Sequence, residues 1–253
     1  MRICVVQTKP TKGDIAKNIE QHKFFLELAI AEQADLVIFP ELSLTGYEPS
    51  LAEGLAMHPS DRKLDEFQAI SDAQNTIIGV GVPTRTNRGV CISLVLFQPE
   101  QERRVYSKQY LHSDEEPFFV KGQSFSAFNV KGCKIALAIC YELSISDHAE
   151  QAHKSGAQVY VASVAKTMSG VEQASERLIH VARQYSIPVL MSNCIGLADD
   201  FESAGHSSIW NREGTLIEQL DSAGEGILIY DTNTQSVTKA QTNFDPTIVS
   251  CSS

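Results

Sequence analysis

Short apolar runs of strand length alternate along the chain with longer segments whose apolar residues recur at helical spacing. Runs rich in β-branched residues predict strands at 2–8, 36–39, 76–82, 90–97, 104–107, 134–139, 158–162, 188–192, 206–211, 215–220 and 226–230. Apolar residues three and four positions apart predict helices at 14–33, 61–75, 146–155 and 171–186. Asp14 is the expected N-cap of the first helix, and Gly156 follows the third as a C-cap residue.

Strands interleaved with amphipathic helices predict an α/β protein in which helices cover a mixed sheet. If two such sheets packed face to face, the fold would be a four-layer α-β-β-α sandwich with two mixed sheets. No linker or internal repeat divides residues 1–253, so we predict a single domain with its core at about 1–230. Residues 231–253 form a polar C-terminal tail whose structure the pattern leaves unassigned.

The composition and net charge of the chain reduce the number of function classes that it can belong to. The 253 residues carry a net charge of −10, which argues against a nucleic-acid partner or an anionic membrane surface. No apolar run approaches the roughly 20 residues that span a bilayer, and the N-terminus becomes polar within a few residues. The six cysteines form no CxxC pair or dense disulfide pattern, so a cytoplasmic location is expected.

A carboxylate, an ammonium and a thiol each end a strand-like apolar run: Glu41, Lys108 and Cys140. Taken singly, a cysteine at a strand end is commonly structural and a lysine in a strand is usually solvated. A carboxylate after an apolar strand, however, is costly to bury without a partner or a task, and a nearby lysine would favour the thiolate. Brought together at a sheet edge, these groups can perform acyl transfer.

The segments around these residues resemble three motifs of the nitrilase superfamily of carbon–nitrogen hydrolases. The matching segments are Phe39-Pro40-Glu41 with Thr45-Gly46-Tyr47, Tyr106-Ser107-Lys108, and Cys140-Tyr141-Glu142. Their order and spacing agree with the family, and the likeness extends from Arg2 to about Tyr230. Any one motif would be weak evidence, but all three in register are strong.

The resemblance implies a mechanism. Cys140 would be the nucleophile, Glu41 the general base and later acid, and Lys108 the electrostatic stabiliser, with the backbone N–H of Tyr141 as a second oxyanion donor. The family's second glutamate falls on Glu115 or Glu116, and the spacing to Gly122 favours Glu115. The resemblance implies no metal and no organic cofactor.

Three further residues are candidates for the substrate-binding pocket: Tyr47, His112 and Phe118. Residues of these types in loops more often only pack or stay solvated. For Glu142 the sequence leaves two interpretations open: it braces the loop that carries the nucleophile, or it is solvated.

The resulting hypothesis is an amidase that converts a small linear amide to an acid plus ammonia or an amine. The alternatives are hydrolysis of N-carbamoyl amides or of nitriles, a catalytically silent binding member of the same fold, and a redox-sensing thiol protein. Recognition of a carbamoyl substrate that carries a carboxylate would require a suitably placed arginine. None can be assigned, although Arg177 and Arg183 lie on a nearby predicted helix. The resemblance also implies a homodimer or a larger homo-oligomer.

Overall fold

The computed structural model describes residues 1–123 and 127–245. Its strands are β1 (Arg2–Gln7), β2 (Leu36–Ile38), β3 (Ile77–Thr86), β4 (Gly89–Phe97), β5 (Arg104–Ser107), β6 (Phe128–Val130), β7 (Cys133–Ile139), β8 (Val159–Val164), β9 (Val189–Asn193), β10 (Ile195–Ala198), β11 (Phe201–Ala204), β12 (Ser208–Trp210), β13 (Leu216–Gln219), β14 (Gly226–Asp231) and β15 (Val237–Gln241). Its α-helices are α1 (Ile15–Ala31), α2 (Ala52–Leu55), α3 (Asp65–Gln74), α4 (Ser146–Lys154) and α5 (Met168–Tyr185). Short 3₁₀ helices occur at Pro49–Leu51, Arg62–Leu64 and Cys140–Ser144.

Two large mixed sheets organise the fold. The first has the order β15-β14-β1-β2-β3-β4-β5, and the second has the order β13-β12-β9-β8-β7-β6. In the first sheet β1, β2 and β3 are parallel, and in the second β7, β8 and β9 are parallel, whereas the other neighbours are antiparallel. The carboxyl ends of β2 and β7 carry Glu41 and Cys140, one from each sheet.

The sheets pack face to face, and helices cover both outer surfaces. One core cluster joins the two inner faces, including Ile38 and Leu94 of the first sheet with Leu137 and Val161 of the second. A second cluster lies between the first sheet and helices α1 and α3, and a third lies between the second sheet and helices α4 and α5. The predicted α-β-β-α sandwich is therefore confirmed.

Local signals explain where α1 and α5 begin. Asp14 caps α1 as predicted, because its side chain accepts a hydrogen bond from the N–H of Lys17 at 3.1 Å. Helix α5 begins three residues before the predicted position, because Thr167 is its N-cap and accepts from the N–H of Gly170 at 3.2 Å.

The polar segment after residue 230, unassigned from its pattern, contributes an edge strand. Strand β15 pairs antiparallel with β14, from Gly226 opposite Gln241 to Tyr230 opposite Val237. The predicted tail from residue 246 onward lies outside the described residues.

Candidate active site

Glu41 lies in a tight turn that both sheets hold in place. Strand β2 ends ahead of Pro40, and the N–H of Phe39 donates to the carbonyl of Gly79 at 2.9 Å. The hydroxyl of Ser163, from β8 in the other sheet, donates to the carbonyl of Phe39 at 2.9 Å. The turn fixes the Glu41 carboxyl in the interior, with only 1 % of the residue exposed.

Gly81 of β3 packs directly against this turn, and this contact gives a first prediction. A Cβ at residue 81 would lie 2.1 Å from the carbonyl oxygen of Pro40 and 2.6 Å from the nitrogen of Leu42. Gly81→Ala must therefore displace the backbone that carries Glu41. We expect a loss of about 1–3 kcal/mol in the free energy of unfolding and a fall of about 10²-fold in turnover from the misplaced carboxylate.

Gly54→Ala is the matched control for this prediction, because a Cβ there meets nothing within 4 Å and residue 54 lies in α2. Its melting temperature and its turnover should equal those of the wild type or exceed them slightly. If Gly81→Ala kept wild-type turnover, the proposed contact between β3 and the Glu41 turn would not control the carboxylate.

Lys108 follows β5 and is completely buried between two carboxylates. Its Nζ donates to Glu41 Oε1 at 2.8 Å and to Glu115 Oε1 at 2.6 Å. Burial alone would lower the pKa of Lys108, but the charges of Glu41, Cys140 and Glu115 outweigh it and raise the pKa above its ordinary value. The lysine is therefore held as an ammonium.

Glu115 is the glutamate that contacts Lys108, whereas Glu116 is exposed to solvent. The hydroxyl of Tyr47 donates to Glu115 Oε1 at 3.0 Å, and the backbone N–H of His112 donates to Glu115 Oε2 at 2.8 Å. These bonds fix the carboxylate that, together with Glu41, holds the ammonium.

Cys140 lies where β7 turns into the 3₁₀ helix, in a left-handed conformation with φ of 42°. A non-glycine residue with positive φ is uncommon and recurs at functional turns. The side chain is half-buried, and Sγ lies 3.9 Å from the carbonyl oxygen of Ala165. Burial, with the Glu41 charge, raises the pKa of the Cys140 thiol to about 11.

Glu41 and Cys140 interact electrostatically. Burial raises the pKa of Glu41, Lys108 opposes that rise, and a contact with the Cys140 thiol also lowers the pKa. Glu41 Oε1 is occupied by Lys108, whereas Oε2 is buried and has no partner within standard hydrogen-bond geometry among residues 1–123 and 127–245. One carboxylate oxygen is thus left free to receive a proton.

Glu142 braces the turn from behind, which settles the alternatives left open by its sequence position. Its Oε2 accepts from the N–H of Ile139 at 2.8 Å and from the hydroxyl of Tyr106 at 2.7 Å. Its Oε1 accepts from the N–H of Gln109 at 2.7 Å. The carboxylate therefore ties the residue before Cys140 to the residue after Lys108, across the two sheets.

A pocket of about 270 Å³ opens onto Cys140. Among the described residues its lining consists of Tyr47, His112, Asp114, Glu115, Cys140, Tyr141, Ala165, Lys166, Thr167, Gly170 and Phe201. The predicted pocket residues Tyr47 and His112 are in this lining, whereas Phe118 lies outside it and is 45 % exposed. The ring of Tyr141 stands edge-on to the His112 ring, with centroids 5.1 Å apart.

Sequence reasoning gave no role to Ser163, Tyr106 and Lys166, which support or line this site. The signal available for Ser163 was a polar residue inside the otherwise apolar run of β8, and the signal for Tyr106 was its place in the motif segment Tyr106-Ser107-Lys108. Lys166 comes just after the buried strand β8, but no motif singled it out.

Other surface features do not compete with this pocket. Depressions of about 370, 380, 580 and 670 Å³ are larger, but none of these four is lined by Cys140. In the described part of the chain, no group of three or more His, Cys, Asp or Glu side chains could hold a metal ion. No described helix is long and apolar enough to cross a membrane.

Known proteins share the sequence pattern and the fold of this chain. The sequence model of the carbon-nitrogen hydrolase family matches residues 2–242. The chain therefore belongs to the carbon-nitrogen hydrolase family, within the nitrilase superfamily, as its motifs indicate.

Individual relatives are distant in sequence but extend over most of the chain. A probable nitrilase of Schizosaccharomyces pombe is 24 % identical over 96 % of this chain and 92 % of its own length. The 2-oxoglutaramate amidase of Bacillus subtilis is 26 % identical over 86 % of this chain and 85 % of its own. An amidase from Nesterenkonia sp. AN1, solved with butyramide, superposes with a TM-score of 0.83 at 20 % identity, covering 93 % of this chain and 92 % of its own.

Proposed function

We propose that this protein hydrolyses a small linear amide to a carboxylic acid and ammonia through a thioester on Cys140. The observation that carries the proposal is the buried chain Glu41–Lys108–Glu115 beside a half-buried thiol at a strained turn. Structural relatives described as amidases support the reaction class, and in a mutant of one of them the active-site cysteine carries the acetamide moiety of fluoroacetamide, which indicates a nucleophilic cysteine in that protein.

The first half of the reaction forms the thioester. Cys140 Sγ attacks the amide carbon, and Glu41 takes the thiol proton as the C–S bond forms, because the raised pKa keeps the resting sulfur protonated. The ammonium of Lys108 and the backbone N–H of Tyr141 stabilise the oxyanion. Glu41 then returns the proton to the amide nitrogen, the C–N bond breaks, and ammonia leaves.

The second half releases the acid. Glu41 takes a proton from water, whose oxygen attacks the thioester carbon. The C–S bond breaks, and Glu41 returns the proton to Sγ, so that the enzyme ends in its starting state. Lys108 stays charged in both halves, because its raised pKa keeps the ammonium protonated. Its role is therefore electrostatic rather than that of a base.

Two chemical classes of acyl group remain, one neutral and one that carries a carboxylate. The Nesterenkonia amidase was solved with butyramide, a neutral amide, whereas the B. subtilis relative is named for an amide that carries a carboxylate. The small pocket, about 270 Å³, favours a short acyl chain in either case. Carbamoyl recognition by arginine is not favoured, because Arg177 and Arg183 bond to Ser144 and to the carbonyl of Glu213 instead.

Intact-protein mass spectrometry during turnover tests the proposal. A pooled panel of small amides, carbamoyl compounds and nitriles should give a mass increment that equals one acyl group, together with ammonia release. Cys140→Ala should show neither. Turnover by Cys140→Ala would contradict the mechanism, and the absence of both adduct and ammonia from the wild type across the panel would contradict the proposed function.

A further inference from the structure

His148 of α4 is a buried histidine behind the turn that carries Cys140, and the mechanism above gives it no role. Only 9 % of the residue is exposed, and both nitrogens of its ring have partners. Nε2 lies 2.7 Å from the hydroxyl oxygen of Tyr106 on β5, and Nδ1 lies 2.8 Å from the hydroxyl oxygen of Tyr160 on β8. Because β5 belongs to the first sheet and β8 to the second, the histidine connects the two sheets.

The carboxylate of Glu142 sets the direction of these hydrogen bonds. Glu142 is completely buried, and its two oxygens accept from the backbone N–H groups of Ile139 and Gln109. The hydroxyl of Tyr106 donates to Glu142 Oε2 at 2.7 Å. The hydroxyl oxygen is then left to accept, so the bond between Tyr106 and His148 is donated by the Nε2–H of the histidine.

The His148 ring is neutral in this arrangement. Burial lowers the pKa of His148 below its ordinary value, although the charge of Glu142 opposes that change. With the proton on Nε2, the other nitrogen accepts from the hydroxyl of Tyr160, so both ring nitrogens are satisfied. Nε2 is 3.6 Å from Glu142 Oε2, too long for a hydrogen bond, so the ring acts on the carboxylate through Tyr106. A buried polar network whose members are all satisfied holds one arrangement of the elements it joins.

We propose that His148 positions the nucleophile through Tyr106 and Glu142. The Nε2–H of the histidine holds the Tyr106 hydroxyl toward the carboxylate. The carboxylate in turn holds the backbone ahead of Cys140 against the backbone that follows Lys108. This support matters because the left-handed conformation of Cys140, with φ of 42°, persists only when the surrounding structure enforces it.

This inference rests on the proposed function, because it assigns a positioning residue to the same site. His148 lies outside the lining of the pocket that opens onto Cys140, so it has no direct contact with a substrate bound there.

A purely structural role is the competing explanation. The His148 ring stands edge-on to the rings of Tyr160 and Tyr110, with centroids 5.9 and 6.5 Å apart, so its loss also removes packing. In that case the effect of a substitution would depend on the lost contacts and would be the same with or without the Tyr106 hydroxyl. If His148 acts through that hydroxyl, the effect depends on the N–H donor and disappears when the hydroxyl is absent.

The test measures two rates, each referred to the folded fraction of the variant: kcat/KM for a small amide, and alkylation of Cys140 by iodoacetamide, followed by peptide mass spectrometry. In the alkylation the sulfur displaces iodide and Glu41 takes the thiol proton, so the rate depends on the same arrangement without turnover. We expect His148→Leu to reduce both rates by about 10-fold, as for the loss of one hydrogen bond. His148→Gln has a side chain of similar size that presents an N–H near the position of Nε2, and it should stay within about threefold of the wild type.

A double-mutant cycle separates the two explanations. Tyr106→Phe removes the hydroxyl and should by itself reduce both rates by about 10-fold. Adding His148→Leu should then reduce them by less than about twofold more, whereas independent effects would multiply to about 100-fold. His153→Leu is the matched control, because His153 is exposed on the same helix and stacks on Tyr185, and it should keep the wild-type rates.

The outcomes separate this inference from the proposed function. If His148→Leu kept the wild-type rates, if His148→Gln slowed the alkylation as much as His148→Leu, or if the two effects in the cycle multiplied, the inference would be wrong and the amidase function would stand. If the wild type hydrolysed no amide and formed no thioester, the proposed function would fail. The alkylation rates would then still decide whether His148 positions Cys140.

Discussion

Glu41→Gln should reduce kcat/KM for amide hydrolysis by on the order of 10³-fold or more, since one carboxylate serves every proton transfer. Glutamine has nearly the same volume, and its amide oxygen can still accept from Lys108, now 2.8 Å from Glu41 Oε1. The amide cannot take the thiol proton, however, and it cannot protonate the leaving nitrogen. An activated ester, whose leaving group needs no proton, should still acylate Cys140 slowly.

Mass spectrometry distinguishes this loss from misfolding. Glu41→Gln treated with the activated ester should accumulate the thioester, because the same carboxylate is needed to activate water. Glu116→Gln is the matched control in the loop after β5, since Glu116 is exposed, and it should behave as the wild type. A Glu41→Gln variant that hydrolysed amides within tenfold of the wild type would remove Glu41 from the mechanism.

The pH dependence gives an independent check on the same carboxylate. Burial raises the pKa of Glu41 despite the opposing charge of Lys108. Only the deprotonated carboxylate accepts the thiol proton, so activity is lost as the pH falls through this raised pKa. The acid limb of kcat/KM should therefore lie above about 4.3, the value of an ordinary glutamate. A limb at or below that value would contradict the assignment.

The sequence predicts the sandwich fold well, because the pattern of apolar runs and the reactive residues that end those runs indicate the same fold. Buried parallel strands such as β8 appear as continuous apolar runs, and the residues that end these runs are the ones that meet. Glu41, Lys108 and Glu115 could be placed together from motifs, although only their contacts identify Glu115 as the residue that holds the lysine.

The sequence could not predict the contacts between segments that lie far apart in the chain. The hydroxyl of Ser163 bonds to the Phe39 carbonyl across 124 residues of chain, and no local pattern encodes that bond. The pairing of β15 depends on the exposed edge of β14 rather than on its own polar sequence. The position of the Lys166 backbone likewise depends on Asn193 and Ala204, which approach it only in the folded protein.

Lys108→Met should be the most destabilising single change at the site. It removes a completely buried ammonium and leaves two buried carboxylates, Glu41 and Glu115, that were 2.8 and 2.6 Å from it. Loss of one partner from a buried ionic group costs about 3–5 kcal/mol in the free energy of unfolding. In a chain of this size that corresponds to a fall of roughly 6–20 °C in melting temperature. Turnover should fall by at least about 10²- to 10³-fold with the lost oxyanion stabilisation.

Two comparisons test the cause of that instability. A triple variant removes all three charges of the buried cluster: Lys108→Met, Glu41→Gln and Glu115→Gln. It should recover stability without recovering turnover, because neutral replacements of buried ion pairs are often tolerated. In the single variant the pKa of Glu41 lies further above its unfolded value, because burial is no longer opposed by the ammonium. A raised pKa stabilises the folded state at low pH, and that contribution is lost as the pH rises through it. The deficit measured by denaturant unfolding should therefore grow from acidic to neutral pH, and a deficit independent of pH would show that packing, not charge, is the cause.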